Sequence, residues 1–291
     1  MYESPDRLMP APEPPSSPRA FRRILVALDG SPHSRAALRL AVALAADLEA
    51  ELNGLFVKDE NLLRAAQLPF AKEVRAHSVP PKTLSDRRVE RQLRRQAERA
   101  EAALEDVAGS SGVTYNFRVV EGQVASELLR AAGEADLLAM GKTSTESSRR
   151  RLGSTSRTLL TESSTPVLVL RRTDYRRPPL FTYYDGSETA RTALRVTAQL
   201  ASHGASLTVF VPADDEADTE QLRDEVHEAV GARTSQVQVR PLSAVEVDRL
   251  APIARRTGPG LFVMPEGCAP LTRTSLQRFL YELDGPLLVV R

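Results

Sequence analysis

The feature that most constrains this chain is an internal repeat. The apolar run Ile24–Leu28 leads into Asp29-Gly30-Ser31, and the run Leu180–Tyr184 leads into Asp185-Gly186-Ser187. Near the end of each half, a proline followed by four apolar residues recurs without a gap, as Pro166–Leu170 and Pro286–Val290. Two shared motifs in the same order indicate that the 291 residues are two copies of one domain. The length is also typical of two domains.

The repeat divides the chain into three parts. Residues 21–172 are predicted to form a first domain and residues 178–291 a second. Residues 1–20 hold six prolines and no apolar core segment, which predicts a disordered tail rather than a secretory signal peptide. Because no apolar run approaches the roughly 20 residues that a membrane span needs, we expect a cytoplasmic protein.

Short apolar segments alternate with helical patterns along the first domain. The strands are predicted at about Ile24–Leu28, Glu51–Val57, Val113–Val120, Asp136–Met140 and Pro166–Leu170. Helices are predicted from Pro32, over Leu84–Ala108, Val124–Ala132 and Ser154–Ser163, and the segment Lys58–Pro81 indicates an inserted short helix and loop. Such alternation predicts an α/β fold in which each domain is a doubly wound, five-stranded parallel sheet, in the order 3-2-1-4-5, with helices on both faces.

The last strand of each domain is strongly apolar. Left at the edge of its own sheet, such a strand would expose unpaired backbone groups and apolar side chains. We therefore expect Val167–Leu170 and Leu287–Val290 to meet across a pseudo-twofold axis, which would join the two domains into an internal pseudo-dimer.

Composition argues against several kinds of function. The 39 basic and 38 acidic residues give a net charge of +1, whereas nucleic-acid and anionic-membrane partners require a basic excess. The single cysteine, Cys268, excludes an intramolecular disulfide and a multi-cysteine zinc site. The four histidines lack ligand spacing, so no protein metal site is predicted.

Two distant segments are predicted to meet at one crevice. In an open α/β sheet, ligands bind beyond the carboxyl ends of the strands, at the point where the strand order reverses. With the order 3-2-1-4-5, that point lies between strands one and four, whose ends carry Asp29 and Met140-Gly141. The loop after Gly141 ends at Gly153-Ser154, where a helix begins.

The start of that helix has the residues of a phosphate site. Glycines at both ends of the loop allow close backbone approach, and the free N–H groups at a helix start, with the Ser154 and Thr155 hydroxyls, suit a phosphate. Taken alone, Gly153-Ser154 is better explained as an ordinary helix cap. In combination with Gly141 and Asp29 at the same crevice, the pattern favours phosphate binding.

This layout resembles the universal stress protein family, whose nucleotide-binding members carry Gly-x2-Gly-x9-Gly-Ser/Thr after strand four. It is similar to the tandem members, and the resemblance implies an adenine nucleotide, ATP or AMP, which Mg²⁺ can accompany. The family's second glycine is Ser144 here, and the segment from there to Gly153 is one residue short. The resemblance implies that the nucleotide is surrounded by Ala27, Leu28, Asp29, Val57, Met140, Gly141, Ser144, Gly153, Ser154, Thr155 and Ser156.

The second domain departs from that pattern. Its equivalent of Gly141 is Pro265, which has no N–H and a fixed φ. The following loop is about four residues shorter, and Arg273-Thr274 stands where the first domain has Gly153-Ser154. We therefore expect the site to be degenerate in the second domain.

Two functional hypotheses follow, and no catalytic constellation accompanies either. Gly141-Lys142-Thr143 lacks the upstream glycine of a P-loop, and no nucleophile elbow is present. The first hypothesis is a stress-response regulator that binds an adenine nucleotide in domain 1, hydrolyses it slowly at most, and changes its association with an unidentified protein partner or with a second copy in a homodimer. The alternative is a nucleotide-independent interaction module with a vestigial site, in which the long helix and the segment Leu62–Phe70 dock a partner.

Overall fold

The structure is a computed structural model of the whole chain. It describes residues 21–68, 72–73, 82–83, 85–142, 153–170, 179–201, 204–213, 215–231, 236–247, 249–257, 260–269, 276–283 and 285–291. The predicted tail 1–20, Ser144 and Arg273-Thr274 lie outside these residues.

Strands and helices alternate in the first half. In chain order they are β1 (Arg23–Ala27), α1 (Pro32–Leu48), β2 (Glu51–Asp59), α2 (Glu60–Ala66), β3 (Lys72–Glu73), β4 (Lys82–Thr83), α3 (Asp86–Ser110), β5 (Tyr115–Gly122), α4 (Val124–Ala132), β6 (Leu137–Gly141), α5 (Ser154–Glu162) and β7 (Val167–Leu170). The predicted insertion Lys58–Pro81 therefore contains the helix α2 and the two-residue strand β3, which pairs antiparallel with β4 just beyond the end of that segment. Strand two runs two residues beyond Val57, because Lys58 and Asp59 still pair with β5.

The second half repeats the same alternation. Its elements are β8 (Leu180–Tyr183), α6 (Glu188–Ala201), β9 (Leu207–Pro212), α7 (Glu216–Val230), β10 (Val237–Leu242), α8 (Ala244–Val247), α9 (Leu250–Thr257), β11 (Leu261–Pro265), α10 (Leu276–Glu282) and β12 (Leu287–Val290). The region between β9 and β11, for which the sequence patterns gave no assignment, supplies the helix α7, the strand β10 and the short helices α8 and α9.

The two halves share one ten-stranded sheet. Its order is β10-β9-β8-β11-β12-β7-β6-β1-β2-β5, so each half has the predicted order 3-2-1-4-5. All neighbours in this sheet pair in parallel except β7 and β12, which pair antiparallel at the centre. The predicted meeting of the two last strands is therefore confirmed.

A pseudo-twofold axis passes through the centre of the sheet. In the antiparallel pair β7–β12, Leu168 is opposite Leu288, and these two residues occupy equivalent positions in the two copies. Both strands are fully buried, because each covers the edge that the other would expose. The pairing joins the halves through backbone hydrogen bonds and a shared apolar core.

Helices cover both faces of the sheet. The core on one face contains buried residues of α1, α3, α6 and α7, and the core on the other face contains buried residues of α4, α5, α9 and α10. Successive residues of a strand point to opposite faces, so Leu137 and Leu138 of β6 belong to different cores. Burial on both faces explains the uninterrupted apolar runs that predicted parallel strands. Of the helices in the described ranges, none combines the length and apolar character that crossing a membrane requires.

Candidate functional site

A crevice of about 600 Å³ opens at the carboxyl ends of β1, β2 and β6. Adjacent pairing of β1 and β6 places Asp29 and Gly141 at the same edge of the sheet, where the strand order reverses. The volume lies within the range of small-molecule sites, which is roughly 300–1,000 Å³. The crevice is therefore large enough for a nucleotide.

Ten of the eleven residues predicted for the site line this one crevice. The eleventh, Ser144, lies outside the described residues. The ten come from the ends of three strands and the start of one helix: Ala27, Leu28, Asp29, Val57, Met140, Gly141, Gly153, Ser154, Thr155 and Ser156.

The Asp-Gly-Ser motif forms the turn that begins α1. The Asp29 carboxylate accepts a hydrogen bond from the Ser31 N–H at 2.8 Å, and Ser31 Oγ accepts one from the Ser34 N–H at 3.1 Å. Gly30 adopts φ +75°, a conformation that favours glycine. The second half has the same turn, in which Asp185 accepts from the Ser187 N–H at 3.1 Å. The shared motif is thus explained by turn and cap geometry in both halves.

Close packing accounts for glycine at position 141. A Cβ atom there would lie 2.8 Å from the carbonyl carbon and the Cβ of His33, and 3.0 Å from the Ser34 nitrogen. These atoms belong to the first turn of α1, so they include backbone that cannot move independently. The absence of a side chain at Gly141 lets α1 approach the end of β6, whether or not a ligand is bound.

The first turn of α5 faces the crevice. Gly153 is its N-cap, and no side chain caps the helix within the described residues. The first N–H groups of a helix have no intrahelical acceptor and carry the positive end of the helix dipole. No described residue accepts a hydrogen bond from the N–H of Ser154 or Thr155. These groups are therefore available to an anion.

Ser156 has a structural hydroxyl rather than a free one. Its side chain is buried, and Oγ lies 3.2 Å from the Gly141 carbonyl oxygen and 3.1 Å from that of Lys142. The Gly153 N–H also donates to the Lys142 carbonyl, at 3.3 Å. These contacts tie the first turn of α5 to the end of β6 and hold the two sides of the crevice together.

The crevice has an apolar part and a polar part. Apolar residues beyond the predicted set are Leu55, Phe56, Leu62, Leu93, Val124 and Leu128. The polar part holds Asp29, Ser31, Asp59 and Gln96 together with the start of α5. Leu62 lies on α2 and Gln96 on α3, so the inserted segment and the long helix build one wall. Sequence patterns identified both helices but did not place them beside the site.

The equivalent position in the second half is filled by an aromatic ring. In the first half, Ala27 of β1 is opposite Leu55 of β2. In the second half, Tyr183 of β8 is opposite Phe210 of β9. Tyr183 therefore occupies the position of Ala27, whose methyl group lines the crevice of the first half. Tyr183 is only 3% exposed and packs in the apolar core with Phe210. Pro265 is the counterpart of Gly141, as predicted. Gly141 is opposite Leu170, and Pro265 is opposite Val290, the residue equivalent to Leu170.

The phenol of Tyr184, which follows β8, has a raised pKa. Burial, and then a hydrogen bond to the Glu225 carboxylate, raise the pKa of Tyr184 to about 12. Arg191 lies 3.5 Å from the same carboxylate. Since the pKa in the unfolded chain is about 10, the stability from this protonated phenol is fully present below pH ~10 and lost as the pH rises toward 12.

A spectrophotometric titration is expected to reveal this phenol. The tyrosinate absorbance of the wild type minus that of Tyr184→Phe should rise with a midpoint near pH 12. Tyr115, which is 38% exposed, provides the comparison, because Tyr115→Phe removes a phenol that is not buried. A midpoint near 10 for Tyr184 would contradict the buried hydrogen bond.

The site is connected to the second half through a buried lysine. Lys142 follows Gly141, is 4% exposed, and donates from Nζ to the Leu280 carbonyl of α10 at 2.7 Å. A reciprocal contact runs from Arg291 Nη2 to the Leu160 carbonyl of α5 at 2.5 Å. Leu160 and Leu280 are equivalent in the two copies, and each lies in the last turn of its helix, where cations are favoured.

A metal site is not among the features of the described residues. Within them, no three histidine, cysteine, aspartate or glutamate side chains come close enough together to hold an ion.

Comparisons with known proteins agree with the fold. The model of the universal stress protein family matches residues 20–171. A universal stress protein from Archaeoglobus fulgidus DSM 4304 is 17% identical, with 93% of this chain and 96% of that chain covered and a TM-score of 0.68. A functionally unknown protein from Pseudomonas aeruginosa PAO1 is also 17% identical, with coverage of 93% and 92% and a TM-score of 0.53. Among curated protein sequences, none matches the chain.

Proposed function

The chain belongs to the universal stress protein family, and on that premise we propose that its first half binds an adenine nucleotide, ATP or AMP, in the crevice between β1 and β6. In this proposal the protein is a stress-response regulator whose nucleotide occupancy changes its association with partners. The observation that carries the proposal is the convergence of ten predicted residues, from four separate segments, on one crevice of suitable size.

Each part of the crevice matches one part of a nucleotide. The apolar walls from Ala27, Val57 and Leu62 suit the faces of a base. The carboxylate of Asp29 lies at the rim, where its second oxygen suits a ribose hydroxyl. The N–H groups at the start of α5, which have no acceptor among the described residues, suit the phosphates. Any Mg²⁺ would enter with the triphosphate.

The phosphate end of the crevice is the part in contact with the second half. The Lys142 carbonyl accepts hydrogen bonds from the Gly153 N–H and from Ser156 Oγ, and its side chain reaches α10. A ligand that shifts the start of α5 therefore acts on a residue that spans both halves. This connection supports a regulatory role in which the second half senses the first.

Isothermal titration calorimetry tests the proposal. The wild type is expected to bind ATP or AMP, and Gly153→Glu is expected to reduce the affinity at least about tenfold, because a carboxylate at the N-cap repels the phosphates. Gly153→Ala is the matched control. A Cβ at this position meets no atom of the described residues closer than 3.8 Å, so the alanine variant should bind within about threefold of the wild type.

The alternative function predicts a different result. If the wild type shows no heat with either nucleotide and releases no adenine compound on denaturation, the nucleotide proposal is wrong. The chain would then be a nucleotide-independent interaction module in which α2 and α3 dock a partner. The exposure of Leu62 and Leu68, at 36% and 47%, is the observation that favours this second candidate.

A further inference from the structure

Two equivalent helices carry stripes of opposite charge on their exposed sides. α3 and α7 each follow the second strand of their half, and both pack on the same face of the sheet. α3 contributes a basic stripe formed by Arg91, Arg95 and Arg99. α7 contributes an acidic stripe formed by Glu220, Asp224 and Glu228.

Both stripes have the same geometry. Their residues are spaced i, i+4 and i+8, so each stripe extends along about 12 Å of its helix axis. All six side chains are exposed. The core sides of the helices are formed by other residues, such as Leu93 and Ala97 on α3 and Val226 and Val230 on α7. The charged stripes therefore face away from the sheet.

Neither stripe is neutralised within the described part of the chain. No ion pair joins any of the six side chains to another described residue, and Arg91 donates only to the Arg87 carbonyl. Like charges at i and i+4 destabilise a helix. A partner of opposite charge would remove that repulsion.

The two stripes lie too far apart to neutralise each other in one chain. α3 packs beside β5 at one edge of the ten-stranded sheet, and α7 packs beside β10 at the other edge. Neighbouring strands are about 4.8 Å apart, so the two edges are separated by several tens of ångströms. The acidic stripe that is complementary to α3 is therefore the one on a second copy.

We propose that the chain self-associates by docking the basic stripe of α3 in one copy against the acidic stripe of α7 in another. Rotation about a twofold axis exchanges the two ends of the molecule, so it brings both α3–α7 pairs together at once. The expected assembly is a closed dimer held by two identical contacts. It does not depend on nucleotide binding, because none of the six residues lines the nucleotide crevice.

Charge reversal provides the test. The first variant replaces Arg91, Arg95 and Arg99 by glutamate, and the second replaces Glu220, Asp224 and Glu228 by arginine. In each variant every α3–α7 contact joins like charges, so each alone is expected to be monomeric. In a mixture, the glutamates on α3 of the first variant face the arginines on α7 of the second, and the native pair forms at the other contact. The mixture is therefore expected to dimerise.

The measurement is light scattering coupled to size-exclusion chromatography, without nucleotide, at about 100 µM protein and about 50 mM salt, where screening is weak. The wild type and the mixture should have about twice the 31.9 kDa chain mass, and about 0.5 M salt should dissociate both. Circular dichroism confirms that the variants are folded. The control reverses Glu98, Glu101 and Glu105 on the flank of α3 to arginine and should remain dimeric.

Three outcomes would overturn this inference. They are a monomeric wild type under these conditions, a dimer that persists in either reversed variant alone, and a mixture that stays monomeric. None of them bears on calorimetry with ATP or AMP. Failure of the docking proposal is thus distinguishable from failure of the nucleotide proposal.

Discussion

Lys142→Glu is expected to lower the free energy of unfolding by about 3–5 kcal/mol, the usual cost of leaving an unpaired charge buried. The wild-type ammonium is 4% exposed and donates to the Leu280 carbonyl at the end of α10. A glutamate would place a carboxylate beside that carbonyl and near the negative end of the helix dipole. Urea unfolding of the full chain, followed by circular dichroism, measures the change.

Two control variants distinguish the effect of burying a charge from the effects of losing a hydrogen bond and of reversing an exposed charge. Lys142→Met keeps the length of the side chain and should cost only about 1–3 kcal/mol, because it leaves one carbonyl without a donor. Glu266→Lys reverses the charge at the equivalent position of the second half. Because that carboxylate is 43% exposed and 3.8 Å from Arg291, its reversal should change stability by about 1 kcal/mol at most. A loss below about 1 kcal/mol for Lys142→Glu would disprove the buried contact between the halves.

Gly141→Ala is expected to destabilise the protein by about 2–3 kcal/mol, near the upper end of the usual cost of overpacking. The new methyl group would lie 2.8 Å from two atoms of His33 and 3.0 Å from the Ser34 nitrogen. To relieve these close contacts, α1 would have to move away from β6, and that movement would also widen the crevice. Thermal and urea unfolding in the absence of nucleotide isolate this packing effect from any effect on binding.

Gly109→Ala is the matched control for this substitution. Gly109 lies in the last turn of α3, and a Cβ there meets no atom within 4 Å. Alanine should therefore stabilise the helix, by up to about 1 kcal/mol. If Gly141→Ala were as stable as the wild type, glycine at position 141 would have no packing role and would be explained by a ligand alone.

These expectations reassign part of the predicted phosphate loop. Gly141 is required by helix packing, and the Ser156 hydroxyl is used by backbone carbonyls. The described residues place no such constraint on Gly153, because a Cβ there meets none of their atoms closer than 3.8 Å. A variant at Gly153 therefore reports on ligand binding, whereas a variant at Gly141 reports first on stability.

Much of the fold was accessible from local patterns. The helix over Val124–Ala132 has the predicted bounds, and the strand order of both halves agrees with the prediction. α7 was not assigned, although Asp215 caps its first turn and Thr219, Val226 and Val230 recur at helical spacing. That helix is strongly charged, so apolar segments alone do not reveal it.

The site was predicted as a set of residues but not as a shape. Asp29, Gly141 and Gly153 were placed together because parallel strands end at the same edge of a sheet. The walls formed by Leu62 and Gln96 depend on how α2 and α3 fold over the strand ends, which no periodicity specifies. The burial of Tyr183 was likewise not predicted. Its equivalence to Ala27 follows from the shared Asp-Gly-Ser motif, but the burial of its ring depends on packing.

Residue order indicated the duplication, the α/β class and the difference between the two loops that follow the fourth strands, because short motifs and apolar periodicity are local properties of a sequence. The strand order was an expectation for this class of sheet, and the structure confirmed it. The coordinates were needed for three other properties: the buried Lys142 contact between the halves, the steric need for Gly141, and the opposed charges of α3 and α7. Each of these depends on atoms that are far apart in the chain and near in space or related by the pseudo-twofold axis. Tertiary packing and the pseudo-twofold symmetry determine these relationships, and no local sequence pattern specifies them.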